Sequence, residues 1–257
     1  MKITLTNAGK RFNRDWIFRN INYEFLPDQA YAIIGPNGSG KSTLLQVIGG
    51  AVGLSEGSIQ YSMVDGRGSR VEEKIAKEKL ETSLESSHSN QPSIPGHRSF
   101  VKEPRPSTVD HRSSSETIYQ FLSLAAPYLE LIEEMSLKEF LEFHNRFKPF
   151  LEEVPIDQII HSVQLDQAAH KQIRYFSSGM KQRIKLAQAI FSKTPLLLLD
   201  EPCTNLDEDG ISIYLKLIER YSKSRIIIVS SNDRQEYSFC KESIDLRNYK
   251  GVSAGWQ

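Results

Sequence analysis

The chain has 257 residues, 39% of them hydrophobic, with 32 basic and 32 acidic side chains. That length fits one large domain or two small ones with a sizeable core, and the zero formal net charge gives no global field for nucleic acid or an anionic membrane. Cys203 and Cys240 stand far apart with no metal-type spacing, which fits a reducing, cytosolic setting. MKITLTNAGKRF has no apolar signal core, and no apolar run approaches the roughly 18–20 residues of a membrane span. A membrane role would therefore need a separate partner chain.

In chain order, MKITLTN alternates and predicts a strand, followed by strands at INYEFLP and QAYAIIG. Residues 41–51, KSTLLQVIGGA, have helical apolar spacing, and GSIQYSM predicts a short strand. Residues 62–116 are rich in Ser, Glu, Lys, Arg, His and Pro and nearly lack aromatics, which predicts a polar insertion with little to bury; a thin apolar stripe at 71–86 allows a short helix. His88, His97 and His111 are irregularly spaced, as scattered loop histidines are, and not as metal ligands. A strand over about 117–126 follows, then helical periodicity from SLKEFLEFHNRF to IDQIIHSV with a break at Pro155. SSGMKQRIKLAQAIFS (177–192) predicts an amphipathic helix and PLLLLD (195–200) a buried strand. GISIYLKLIERYS predicts a helix, RIIIVSS a strand, RQEYSFCKES a short helix and IDLRN a last strand. Apolar strands alternating with helices imply a largely parallel sheet covered on both faces, with the helical stretch 128–175 as a subdomain.

GPNGSGKST carries the most specific local chemistry. Gly35, Gly40, Lys41 and Ser42 meet the G-x-x-x-x-G-K-[ST] spacing. Across Gly35, Pro36, Asn37, Gly38, Ser39 and Gly40 the glycines let backbone N–H groups face an anion without a Cβ in the way. The helix starting near Lys41 adds its positive dipole end. Lys41 reaches toward β and γ phosphates, the Ser42 hydroxyl is a Mg²⁺ ligand, and Thr43 opens the helix body. A Gly-rich turn before a helix is the plainer alternative; the apolar strand YAII ahead of the loop favours phosphate binding. In LLLLDEP, Asp200 and Glu201 end a buried strand, where α/β sheets bind ligands. Asp200 is placed to hold the Mg²⁺ shell, and Glu201 to orient or deprotonate an attacking water. An exposed acidic turn would have the same letters.

FSSGMKQR, Phe176–Arg183, is similar to the signature LSGGQ-x-QR of ATP-binding cassette (ABC) proteins. Phosphate loop, signature and carboxylate strand occur in that order, TNLD (204–207) matches the D-loop, and the chain outside the insertion resembles a nucleotide-binding ABC subunit. The resemblance implies a single P-loop NTPase domain: an α/β fold with a largely parallel sheet, an N-terminal antiparallel β subdomain and an α-helical subdomain. It spans 1–257, with a core at 1–61 and 176–257. The resemblance also implies a head-to-tail dimer with a second cassette that binds two ATP, in which Ser177 and the Gly179 N–H contact the γ-phosphate held by the partner. Ser177 as an ordinary helix N-cap is equally compatible. Phe12 fits the adenine-stacking aromatic, with Trp16 as its competitor. Separate integral membrane permease subunits would be the partners, with the ATPase peripheral on the cytoplasmic face of the cell membrane and no nucleic acid involved.

Two family positions depart. The Q-loop glutamine slot falls at or near Pro127, with Gln120 too far upstream, and the switch histidine slot falls at Asn232. Asparagine donates a hydrogen bond but cannot become cationic. The expectation is ATP binding, Mg²⁺ dependence and slow hydrolysis, with turnover lowered about one to three orders of magnitude, the scale of one lost preorganised donor. A soluble ABC ATPase acting on another macromolecule, or an ATP-gated switch that barely hydrolyses, are the alternatives; one cassette with a short polar insertion favours the transporter motor.

Overall fold

The computed structural model describes residues 1–62 and 117–250. The insertion at 62–116, with its proposed helix and histidines, lies outside the described residues save Ser62. Two sheets organise the molecule. β1 (Lys2–Phe12), β2 (Asp15–Phe25) and β4 (Glu56–Ser62) form an antiparallel sheet in the order β2-β1-β4. β3 (Ala30–Ile34), β5 (Leu122–Ala125), β6 (Leu196–Asp200), β7 (Ile226–Ser230) and β8 (Glu242–Asp245) form a parallel sheet in the order β5-β6-β7-β3-β8. The helices are α1 (Lys41–Ile48), α2 (Leu137–Phe147), α3 (Ile156–Ser162), α4 (Ser178–Phe191) and α5 (Glu208–Tyr221).

The continuous apolar runs of β6 and β7 follow from burial on both sheet faces. Leu196, Leu198, Ile226 and Ile228 pack with α1 and the antiparallel sheet in one core, which includes Phe18, Phe25 and Leu45. Leu197, Leu199, Ile227 and Val229 pack on the other face against α2–α5 in a second core, which includes Leu141, Ile190 and Tyr214. Alternate residues face opposite layers because the strand period is two. Each fully buried Leu or Ile contributes about 1.5–3 kcal/mol.

Registers set the level of the functional edge. Ile33 lies opposite Ser230, Ser230 opposite Asp200, Leu199 opposite Ala125, and Ile34 opposite Asp245. All five strands therefore end at one edge, where open α/β sheets bind ligands.

Three expectations are corrected. The strand expected from about 117 to 126 starts at Leu122; Ile118–Gln120 form a 3-10 turn closed by the Phe121 N–H on the Ile118 carbonyl. RQEYSFCKES forms no helix, only successive turns in which Glu236 N donates to Asp233 O and Cys240 N to Tyr237 O. The last strand is Glu242–Asp245, earlier than IDLRN, because pairing of Tyr31 with Glu242 through Ile34 with Asp245 fixes it; Leu246–Tyr249 then turn as a 3-10 helix, burying Leu246.

Candidate functional site

β3 ends at Ile34, the chain turns through Gly35–Gly40, and α1 starts at Lys41. Ser39 N donates to Pro36 O at 3.0 Å and Leu44 N to Gly40 O at 2.9 Å, closing the turn onto the helix. Lys41 is only 5% exposed, and its ammonium donates to the carbonyls of Gly35 (2.9 Å) and Pro36 (3.3 Å). The cation therefore points back over the loop. Ser39 is buried and its hydroxyl has no partner in the protein. Ser42 and Thr43 occupy the first turn of α1, half-buried. Pro36, Asn37 and Gly38 are the exposed rim.

Asp200 ends β6 two strands from the loop, at the same level, and is 2% exposed with its Oδ1 unpartnered. A buried carboxylate oxygen without a donor is costly. Glu201 follows at φ 43°, a left-handed conformation that costs a non-glycine residue about 1–3 kcal/mol and persists only where neighbours enforce it. Its N–H donates to Ser230 O at 2.8 Å, and its carbonyl accepts from Thr204 N at 3.1 Å.

Between them runs β7. Its pairing with β3 continues one residue further, Ser231 N donating to Ile33 O at 3.2 Å. That places Asn232 over the loop, where its amide Nδ2 donates to the Asn37 side-chain oxygen. Lys41, Asp200, Glu201 and Asn232 thus arise from three adjacent strand ends. On the far side of β6, Pro127 follows β5 and offers its carbonyl to the Lys185 ammonium at 2.7 Å; no side-chain polar group stands at that position. Tyr128 is next, and its phenol pKa is raised, first by burial, then by the Asp200 carboxylate, against a hydrogen bond with Gln46. Gln120 lies in the 3-10 turn before β5, bonded to Tyr119, at the opposite end of that strand.

The FSSGM segment is elsewhere. Ser177 caps α4, its hydroxyl accepting from Met180 N at 3.2 Å. Ser177–Met180 border an open groove of about 740 Å³ whose other walls include Gln164, Lys171, Arg183 and Asn205. Gly35–Thr43 do not line it. A Cβ on Gly179 would lie 2.9 Å from the Asn205 carbonyl, so the TNLD turn sits directly against the helix start. Phe12 ends β1, 48% exposed, with the Lys10 ammonium 4.9 Å from its ring centroid. Trp16 is half-buried under Arg19 (4.5 Å) and Arg11 (5.5 Å), its faces already engaged. The neighbouring Ile17 packs on Gly40, which brings this hairpin beside the loop.

Sequence reasoning missed two residues here. Gln182, buried within α4, donates to Pro202 O at 2.7 Å. Glu236, 5% exposed, accepts the Cys203 N–H on Oε1 at 2.7 Å. The first was visible as the Q of MKQR; the second was hidden by reading its segment as a short helix.

A phosphate-type loop at a strand–helix junction, with a buried aspartate two strands away, defines a P-loop nucleotide-binding cassette. The chain belongs to the ABC transporter family, whose model matches residues 18–204. The uncharacterized ABC transporter ATP-binding protein YybJ of Bacillus subtilis (strain 168) is 26% identical over 248 residues, covering 96% of this chain and 93% of its own. The cytochrome c biogenesis ATP-binding export protein CcmA of Agrobacterium fabrum is 26% identical over 259 residues, 98% of each chain. A putative ABC transporter ATP-binding protein from Pyrococcus furiosus shares the fold, with a TM-score of 0.67 and 18% identity over 98% of this chain and 100% of that one. The chain is accordingly an ATP-binding ABC subunit of the transport class. Among the described residues no helix is long and apolar enough to cross a membrane.

Proposed function

We propose that this chain binds and hydrolyses ATP as one half of a head-to-tail cassette dimer, and that the dimer drives transport through separate membrane permease subunits. The observation that carries the reading is the convergence of Lys41, Asp200, Glu201 and Asn232 at one sheet edge.

The phosphates would lie in the Gly35–Thr43 loop, with backbone N–H groups and the α1 dipole complementing their charge. Lys41 would exchange its two carbonyl acceptors for β and γ oxygens, a charge-assisted gain. The donor set fits a divalent ion: the unpartnered Asp200 Oδ1 and the Ser42 hydroxyl are hard oxygens of the kind Mg²⁺ takes together with substrate phosphates. Such an ion would offset the developing phosphate charge. Glu201, held in a fixed backbone pose, would orient and deprotonate the attacking water, and Asn232 would donate its amide to the γ-phosphate. Phe12, exposed at the hairpin end with the Lys10 ammonium over one side of its ring, would stack on adenine.

The signature groove supports the dimer. Its lining lacks the chain's own phosphate loop, so the exposed Ser177 hydroxyl and the Gly179 N–H are available to a nucleotide held by a second copy or a related cassette. Exposed Tyr128 and Ile132 beside the β5 end would meet a permease segment. The relatives are named as ATP-binding proteins of transporters, which favours this over a soluble non-transport partner; docked to permeases, the subunit would sit peripherally on the cytoplasmic membrane face.

The test is steady-state phosphate release with MgATP by the purified protein and its Glu201→Gln variant. The wild type should turn over slowly, about one to three orders below a cassette bearing both missing donors, and Glu201→Gln should fall at least about tenfold further. Equal rates would remove Glu201 from its role.

A further inference from the structure

Besides Asp200, Glu236 is the one buried carboxylate among the described residues, and none of the motifs uses it. Its backbone is fixed at both ends: Glu236 N donates to Asp233 O at 3.1 Å, and Glu236 O accepts the hydroxyl of fully buried Tyr214, on α5, at 2.8 Å. Its side chain turns inward, and Oε1 accepts the Cys203 N–H at 2.7 Å. Oε2 is buried without a hydrogen-bond partner. Cys203 is two residues after Glu201, in the turn that includes the Thr204 N–H on the Glu201 carbonyl and the Leu206 N–H on the Cys203 carbonyl. Gln182 holds the same turn from the α4 side through Pro202 O. The Glu236 carboxylate holds it from the switch side, four residues beyond Asn232.

We infer that Glu236 is a positioning residue: its carboxylate ties the turn that presents Glu201 to the segment that carries Asn232. The geometry gives two reasons. Glu201 sits at φ 43°, a pose that relaxes unless surrounding bonds over-determine it. And the buried Cys203 N–H needs an acceptor, which the inward-turned Glu236 Oε1 supplies at 2.7 Å, at the cost of burying a carboxyl whose pKa is raised, chiefly by burial. A plain structural acceptor would stabilise the fold equally without linking these two loops. The linked pair is what makes the residue functional: a shift of Asn232 against the γ-phosphate is passed to the turn behind Glu201 and, through Asn205, to the signature helix start, which Asn205 O touches at Gly179.

This inference rests on the hydrolytic reading above, and its test separates the two. Glu236→Gln keeps an acceptor on the Cys203 N–H; Glu236→Met fills similar volume with none. The expected result is kcat within about threefold of wild type for Gln, and a drop of about ten- to a hundredfold for Met, the scale of a displaced catalytic group. KM for ATP should stay within about twofold in both, because the phosphate loop is untouched. Equal kcat in Met and wild type, equal losses in Gln and Met, or KM rising in step with the loss of kcat each overturn it. Amide hydrogen exchange in the nucleotide-free protein supplies the independent arm: the Cys203 N–H should exchange roughly ten- to a hundredfold faster in Met but not in Gln. If the wild type proves not to hydrolyse ATP, the functional reading falls, and the exchange result alone decides whether Glu236 holds the turn. Unchanged exchange in the Met variant overturns the inference.

Discussion

Gly40→Ala tests the packing of the phosphate loop against the hairpin. Gly40 has φ 100°, and a Cβ built there lies 2.3 Å from Ile17 Cγ2, where ordinary contact is 3.4–4 Å. The backbone conformation alone costs an L-residue about 1–2 kcal/mol. Forcing Ile17 off a core-lining strand adds the overpacking penalty of about 1–3 kcal/mol. Together these give about 2–5 kcal/mol, which in a chain of this size lowers Tm by about 5–15 °C. Gly38→Ala is the internal control: φ is 75°, but nothing lies within 4 Å of its Cβ, so only the conformational cost applies and Tm falls by at most about 8 °C. Differential scanning fluorimetry of both variants without nucleotide measures the difference. Binding of a fluorescent ATP analogue should weaken more than about tenfold in Gly40→Ala, because the loop must move to relieve the clash. A Gly40→Ala Tm no lower than that of Gly38→Ala would refute the proposed contact between loop and hairpin.

Asp200→Asn removes a buried charge with an unpartnered oxygen, so Tm without nucleotide should change by no more than about 2 °C, while the stabilisation by MgATP, about 2.7 kcal/mol at a hundredfold excess over Kd, should disappear in the same melts. Asn232→His should raise the single-turnover hydrolysis rate at least about tenfold; an unchanged rate would show that Asn232 does not limit the chemistry. His144 is held neutral: burial, with the Lys148 charge adding, pushes its pKa down from 6.5 to about 4, and its Nε2 meets Ser192 Oγ at 3.0 Å. The unfolded chain therefore binds more protons than the folded one between about pH 4 and pH 6.5, and stability falls as pH drops through that window. His144→Gln should flatten the decline, measured as urea midpoints at pH 5 and 7.5.

Much of this arrangement was legible because its physics is local. LLLLD and IIIVS read as buried strands since both their faces are covered, and GPNGSGKST read as a loop because its glycines and lysine are meaningful at fixed spacing. Ser136 and Glu139 start α2 with a reciprocal cap, which marks the helix within MSLKEFLEF. What was not legible depends on pairing across the chain. The alternation of IDLRN is as good a strand as ESID, and only the register on β3 selects the latter. The β1–β2 hairpin runs longer than its alternating letters, because bulges between Leu5 and Arg11 reset the pattern.

The segment after Asn232 shows the limit most clearly. RQEYSFCKES has enough spaced apolar residues to read as a short helix, and a helix would leave Glu236 free to face solvent. Its backbone instead turns at Asp233 and again at Tyr237, and the carboxylate goes inward because an otherwise unpaired buried N–H at Cys203 needs an acceptor. That donor lies 33 positions earlier in the chain, in a turn whose shape is set by the left-handed Glu201. No local pattern carries such a demand. The same coupling explains why Asn232 cannot be judged as an isolated departure from histidine. Its amide rests on Asn37 of the phosphate loop, and its segment is tied through Glu236 to the turn behind Glu201. A donor that cannot become cationic is thus held in fixed register with both the loop and Glu201, so its effect on turnover should appear in the chemical step and leave ATP affinity nearly unchanged.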